Sequence, residues 1–261
     1  SGPLPFDPAT IEDILLSNLL EPLLMRLSRT LVLELHVARL QGHLAGDTPQ
    51  ERFESFIERI RQPEIAVELL SEYPVLARQL LICINQWVEV SLEFMERLCC
   101  DWPLIQEHFA MGEAPGRLDE VAGGAGDTHR GGRSVMIAIF ESGFRIVYKP
   151  KSLKIDQHFQ ELLLWVNDKG CHPPLQTVKV LDRGEYGWVE FVQYQTCETR
   201  AELERFFQRH GSYLALLYAL NSNDFHYENL IAAGEHPLLI DLETLLQPSF
   251  DIFDETQAEF A

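Results

Sequence analysis

Cysteine is sparse and unpatterned in this chain. Cys83, Cys99, Cys100, Cys171 and Cys197 are odd in number and include no C-x-x-C pair, which argues against a disulfide scaffold or a cysteine metal site and suits a reduced, cytoplasmic chain. Basic charge is also short, with 21 Lys+Arg against 40 Asp+Glu and a net charge of −19. That balance disfavours nucleic acid as a partner, and no basic stripe with interleaved aromatics lies outside the segment 130–154. No apolar run reaches eighteen residues, because Arg26, Arg29 and Glu34 interrupt the leucine-rich start, so neither a signal peptide nor a membrane span is expected. Ser1 in place of an initiator methionine reads as a processed or trimmed start. Glycine is almost missing from Pro8 to Phe109, where only Gly42 and Gly46 occur.

What fills that glycine-poor region is helical spacing. Ile11, Leu15, Leu19, Leu23, Leu27 and Leu31 form one stripe, and Val75 to Cys99 is a second long helical run. His36 and His43, seven apart, read as ordinary helix residues. Glycines then cluster from Met111 to Gly132 and no amphipathic period survives, which marks a boundary. With 261 residues and 46% hydrophobic content the chain can bury a sizeable core. The expected organisation is a helical region over 1–115 and an α+β core over 116–261.

Within the second region the pattern changes to strands. VMIAIF (Val135 to Phe140) and FRIVYK (Phe144 to Lys149) flank Glu141-Ser142-Gly143 as a hairpin. Asp156 to Lys169 reads as a helix stopped at Gly170, with Pro173-Pro174 beyond it. Gln176 to Asp182 and Trp188 to Tyr194 form a second strand pair. Thr199 with Glu202 makes a capping box for a helix from Arg200 to about Leu220. Gly211 inside that helix costs roughly 1 kcal/mol against alanine, which suggests close packing or a break.

The chemistry concentrates near the C-terminus. Asp224, His226 and Asn229 in DFHYEN precede a short apolar hairpin, Leu230 to Leu239, which is followed by Asp241 and Glu243 in LIDLE. An Asp and an Asn five positions apart, with another Asp twelve positions later at a strand end, is the layout that phosphoryl transfer uses around Mg-ATP. One carboxylate serves the incoming hydroxyl, and carboxylate and amide oxygens suit hard magnesium ions. An Asx-rich turn capping the hairpin is the plain alternative for any one of these residues. Upstream, Lys149 ends a strand as a phosphate-holding lysine would, and GGAGDTHRGGRS (Gly123 to Ser134) could bring backbone N–H groups to an anion or be only a surface linker. A Walker A loop is excluded, since Gly132 stands where its lysine should be. Arg130, Arg133, Arg145, Lys149, Lys151 and Lys154 against the single acid Glu141 make a basic island able to focus a triphosphate. Glu161 is a candidate ion-pair partner of Lys149, with solvated surface charge as the alternative.

The motifs GDTHRGGRS, VYKPKSL, GWVEFV, DFHYENLIA and HPLLIDLETL, in order from Gly126 to Leu245, resemble the dehydratase domain of class II (LanM-type) lanthipeptide synthetases. The resemblance implies a kinase-like, two-lobed fold related to lipid kinases, with its large lobe cut short at Ala261. It also implies ATP-dependent phosphorylation of Ser or Thr in a ribosomal precursor peptide, followed by phosphate elimination. Under it, Asp224 is the catalytic-loop carboxylate and Lys149 holds the phosphates. His226, Asn229, Asp241 and Glu243 complete the nucleotide and magnesium environment, while Asp127 and His129 reach the site from the phosphate loop. Gly126, Arg133 and Glu161 line the nucleotide site, and Glu190, in the lobe connection where adenine stacks, joins them. Asp241-Leu242-Glu243 lacks the glycine hinge of Asp-Phe-Gly, so activation-loop switching is not expected. The family continues beyond this chain into elimination residues and a zinc-dependent cyclase domain. The alternatives are a kinase of another substrate that stops at the phosphoester, and a nucleotide- or peptide-binding module without turnover.

Overall fold

Three of the first four helices begin with proline in their opening turn, where its missing N–H costs nothing and its fixed φ favours entry. A computed structural model describes residues 4–124, 130–223 and 225–246. The chain is α+β and divides into two compact units, Ser1–Phe144 and Arg145–Ala261.

The first unit holds α1 (Ile11–Leu40), α2 (Pro49–Ile60), α3 (Pro63–Glu72), α4 (Pro74–Phe109), β1 (Leu118–Ala122) and β2 (Met136–Phe140). Both expected helical runs are present, and α4 continues ten residues past Cys99. Phe94, Leu98, Trp102 and Ile105, spaced four, four and three, form the buried face of α4, and Trp102 stacks on Phe140 at 4.9 Å. Leu15 and Leu19 of the predicted α1 stripe are buried. Asn18 fastens α1 to β1, its amide donating to Val121 O at 2.8 Å and accepting the Gly123 N–H at 2.9 Å. The turn after β2 closes as the Glu-Ser-Gly spacing predicts: Gly143 N–H donates to Phe140 O at 2.7 Å and Phe140 N–H to Phe144 O at 2.9 Å. Among the described residues, no helix is long and apolar enough to cross a membrane.

The second unit holds β3 (Arg145–Lys149), α5 (Lys154–Asp168), β4 (Val180–Asp182), β5 (Gly187–Glu190), α6 (Arg200–Ala219), β6 (Leu230–Ala233) and β7 (His236–Leu239). β3 and β4 flank β5 antiparallel, with Lys149 opposite Gly187 and Asp182 also opposite Gly187. α5 has no cap from its own N-terminal residue. Asp182 on β4 takes that place, accepting the Leu153 N–H at 2.7 Å. Thr199 and Glu202 form the expected capping box on α6. The expectation of crowding or a break at Gly211 is overturned: α6 runs through it, and a Cβ there would meet nothing within 4 Å.

The core of this unit joins Phe159 and Leu163 of α5, Leu175, Tyr213 of α6, Leu239 of β7, and Leu242 and Leu245 just after it. Each such side chain contributes roughly 1.5–3 kcal/mol when fully buried. Arg209 bolts α6 to the β6–β7 turn, donating to Pro174 O at 2.8 Å and Glu235 O at 2.9 Å while only 4% exposed. These contacts fix where the segment after β7 emerges.

Candidate functional site

Hairpin pairing decides which polar residues meet. Leu230 lies opposite Leu239, and one step outward Ile240 N–H donates to Asn229 O at 3.1 Å. Asn229, at the end of the 3-10 turn Tyr227–Asn229, is therefore held at the same hairpin end as Asp241. The turn is capped by His226, whose Nδ1 accepts the Glu228 N–H at 3.3 Å. Asp224, Gly126, Asp127 and His129 lie outside the described residues.

Leu242 is 2% exposed inside the core cluster. On either side of it Asp241 and Glu243 keep exposed side chains, at 40% and 50%. Both carboxylates meet one ammonium: Lys151 Nζ donates to Asp241 Oδ1 at 3.1 Å and to Glu243 Oε2 at 2.7 Å. Burial pulls the Lys151 pKa down, but Glu243 and Asp241 outweigh it and hold it above the ordinary lysine value. Two residues earlier, Lys149 Nζ donates to Ile240 O at 2.6 Å and to Asp156 Oδ1 at 3.1 Å, with both side chains of that ion pair buried. Both lysines of the K-P-K run thus end on the four residues 240–243.

One expected partner is corrected. Lys149 pairs with Asp156 in the first turn of α5 and not with Glu161, whose exposed carboxylate is bound to His158 at 3.0 Å and Gln157 at 3.4 Å. The physical reason is reach: α5 presents its first turn to the end of β3, and Glu161, further along the helix, faces solvent. Sequence reasoning counted Lys151 only within the basic island and gave it no place beside Asp241 and Glu243, although its spacing of two from Lys149 was available as a signal.

Three further basic-island and nucleotide-site candidates have local engagements. Arg133 is bound to Glu93 of α4, with two contacts from Nε at 3.1 Å. Glu190 accepts the Lys179 N–H at 2.9 Å. Arg145 donates to Gln193 at 3.2 Å and lies over the Phe191 ring at 5.2 Å.

Among the described residues, no three His, Cys, Asp or Glu side chains group as a metal site. A pair is enough for magnesium, which keeps several waters and uses one or two carboxylates. In this structure the two carboxylates converge on one cation, the Lys151 ammonium.

Two comparisons bear on this arrangement. The chain is similar to the lacticin 481/lactococcin biosynthesis protein LcnDR2 of Lactococcus lactis subsp. lactis, at 29% identity over 258 residues. That likeness covers 92% of this chain and 27% of the relative, so the chain spans about a quarter of that protein's length. The family described as "Domain of unknown function (DUF4135)" matches residues 73–261, which include α4, both strand groups and the whole 226–243 site, and the chain belongs to that family.

Proposed function

We propose that this chain carries the phosphorylating half of a peptide dehydratase of lanthipeptide biosynthesis. The observation behind this reading is the convergence of the K-P-K lysines on Ile240, Asp241 and Glu243, beside Asn229 at one hairpin end. The similarity to a protein named for lacticin 481/lactococcin biosynthesis supports the substrate class, a ribosomal precursor peptide. The two-lobed, kinase-like arrangement of the resembled synthetases belongs to the same proposal.

Mg-ATP, when bound, supplies the phosphoryl group and the neutralisation of its charge. Asp241 and Glu243 offer carboxylate oxygens to magnesium, and Asn229 adds an amide oxygen. Lys149, held by Asp156, keeps a positive charge beside them for the phosphates. Asp224 takes the proton of a peptide Ser or Thr hydroxyl as its oxygen bonds to the γ-phosphorus and the bond to ADP breaks. In the dehydration that follows, the α-proton leaves as a base takes it and the phosphate departs with the C–O electron pair, giving the dehydro residue.

The test is mass spectrometry of a Ser/Thr-containing precursor peptide incubated with the protein and Mg-ATP. A gain of phosphate or a loss of water is expected, and neither from Asp241→Asn or Asp224→Asn folded like the parent. Full turnover by either variant would refute the site assignment. Phosphate gain without water loss would place this chain at the phosphoester stage.

A further inference from the structure

Lys149 and Lys151 differ in how freely they can move. Lys149 is 7% exposed and committed to Asp156 and the Ile240 carbonyl. The Lys151 side chain is 23% exposed, and its two carboxylate partners are 40% and 50% exposed. Its position can therefore exchange with ions from solvent. Two carboxylates that converge on one ammonium repel each other without a cation between them. One ammonium neutralises one of those charges, whereas a divalent ion neutralises both and prefers the same oxygen donors.

We propose that Lys151 is an internal stand-in for the divalent cation, bridging Asp241 and Glu243 in the metal-free protein and swinging to the nucleotide phosphates when metal and nucleotide load together. The inference rests on the magnesium–nucleotide reading of this site and adds a coupling to it. Metal alone must expel the ammonium into solvent, where it loses both partners. Metal arriving with a triphosphate gives that ammonium a new anion within reach of its flexible four-carbon stem. Lys151 therefore opposes metal alone and favours metal with nucleotide, and by linkage each ligand strengthens the other to the same degree.

The experiment measures Mn2+ binding to the full chain from the EPR signal of the free ion, with and without ATP. For Lys151→Met, Mn2+ alone should bind about tenfold tighter than to the parent, and the strengthening of Mn2+ by ATP should fall about tenfold. Lys151→Arg, which keeps the charge, should behave like the parent. A lysine that only holds the loop in shape would give the opposite result, with Lys151→Met weakening Mn2+ in both conditions. Lys151→Gln provides a second neutral side chain if the methionine variant does not fold. If Mn2+ binds the parent, Asp241→Asn removes it and Lys151→Met binds no tighter, the stand-in role is overturned and the metal site stands. If Mn2+ binds none of the proteins, the metal reading falls, and this inference with it.

Discussion

Replacing Asp156 by alanine while Lys149 stays should destabilise the fold by about 3–5 kcal/mol, the loss typical when one member of a buried ion pair is removed. The charges lie 3.1 Å apart, with side chains 9% and 7% exposed. At an effective dielectric of about 20 their attraction is about 5 kcal/mol. Desolvation of each ion consumes several kcal/mol, so the intact pair contributes little net, while half a pair is expensive. In Asp156→Ala the ammonium stays buried with the Ile240 carbonyl, 2.6 Å away, as its remaining acceptor. Lys149→Met strands the carboxylate at a similar cost, whereas Lys149→Met/Asp156→Leu removes both charges and should lose less than either single change. Urea unfolding followed by tryptophan fluorescence gives the cycle, with a coupling of at least about 3 kcal/mol expected, at the upper end for residues in contact. Glu161→Ala is the control and should stay within about 0.5 kcal/mol of the parent. Additive single losses, or a cost under about 1 kcal/mol for Asp156→Ala, would refute Asp156 as the group that neutralises Lys149.

Gly211→Ala should stabilise the protein by about 0.5–1 kcal/mol in thermal unfolding, because the exposed helical site leaves the new methyl in open space. Gly187→Ala should do the reverse by about 1–3 kcal/mol, since its Cβ would sit 2.6 Å from the Leu181 carbonyl oxygen and 2.5 Å from Leu153 Cδ1. It faces Lys149 across the ladder, so nucleotide binding should weaken with it. Burial opposes ionisation of Glu235, but Arg205 and Arg209 overcome it and hold the pKa below the ordinary 4.5. A depressed carboxyl pKa stabilises above the unfolded value and loses that contribution as pH falls through the folded value. The melting-temperature gap between the parent and Glu235→Gln should therefore be constant near neutrality and shrink below about pH 4.5.

The hairpin end was legible because its information is local. Polar residues on either side of Leu230–Leu239 fix the strand length, and antiparallel pairing then brings Asn229 level with Ile240. The Thr199/Glu202 box was legible for the same reason. β1 was hidden because a register shift between Leu118 and Glu120 puts its two buried residues, Leu118 and Val121, three apart instead of two. Glu161 stayed open between a Lys149 partner and solvated surface charge, and the true partner Asp156 was hidden, because a contact between a strand end and a helix depends on how α5 is set, and α5 is set by Asp182, a cap from a distant strand that no local pattern announces. Gly211 was misread in the opposite sense, since composition cannot tell a crowded helix face from an open one.

The two-residue spacing recurs on both sides of the site, and the recurrence is physical. Lys149 and Lys151 are separated by Pro150, and Asp241 and Glu243 by Leu242. On the acidic side the spacer is anchored in the core, and the Glu243 N–H reaches Asp241 Oδ1 at 3.5 Å. On the basic side the lysines divide the work: Lys149 grips the backbone at Ile240, and Lys151 spans the carboxylates. A backbone grip does not depend on what the carboxylates bind, so Lys149 can keep the segment in place while the cation between Asp241 and Glu243 changes. Under the proposed magnesium–nucleotide reading, exchange of that cation without loss of the segment's position is what the site requires, because ligands held in place avoid the ordering cost that loose ones incur on every turnover.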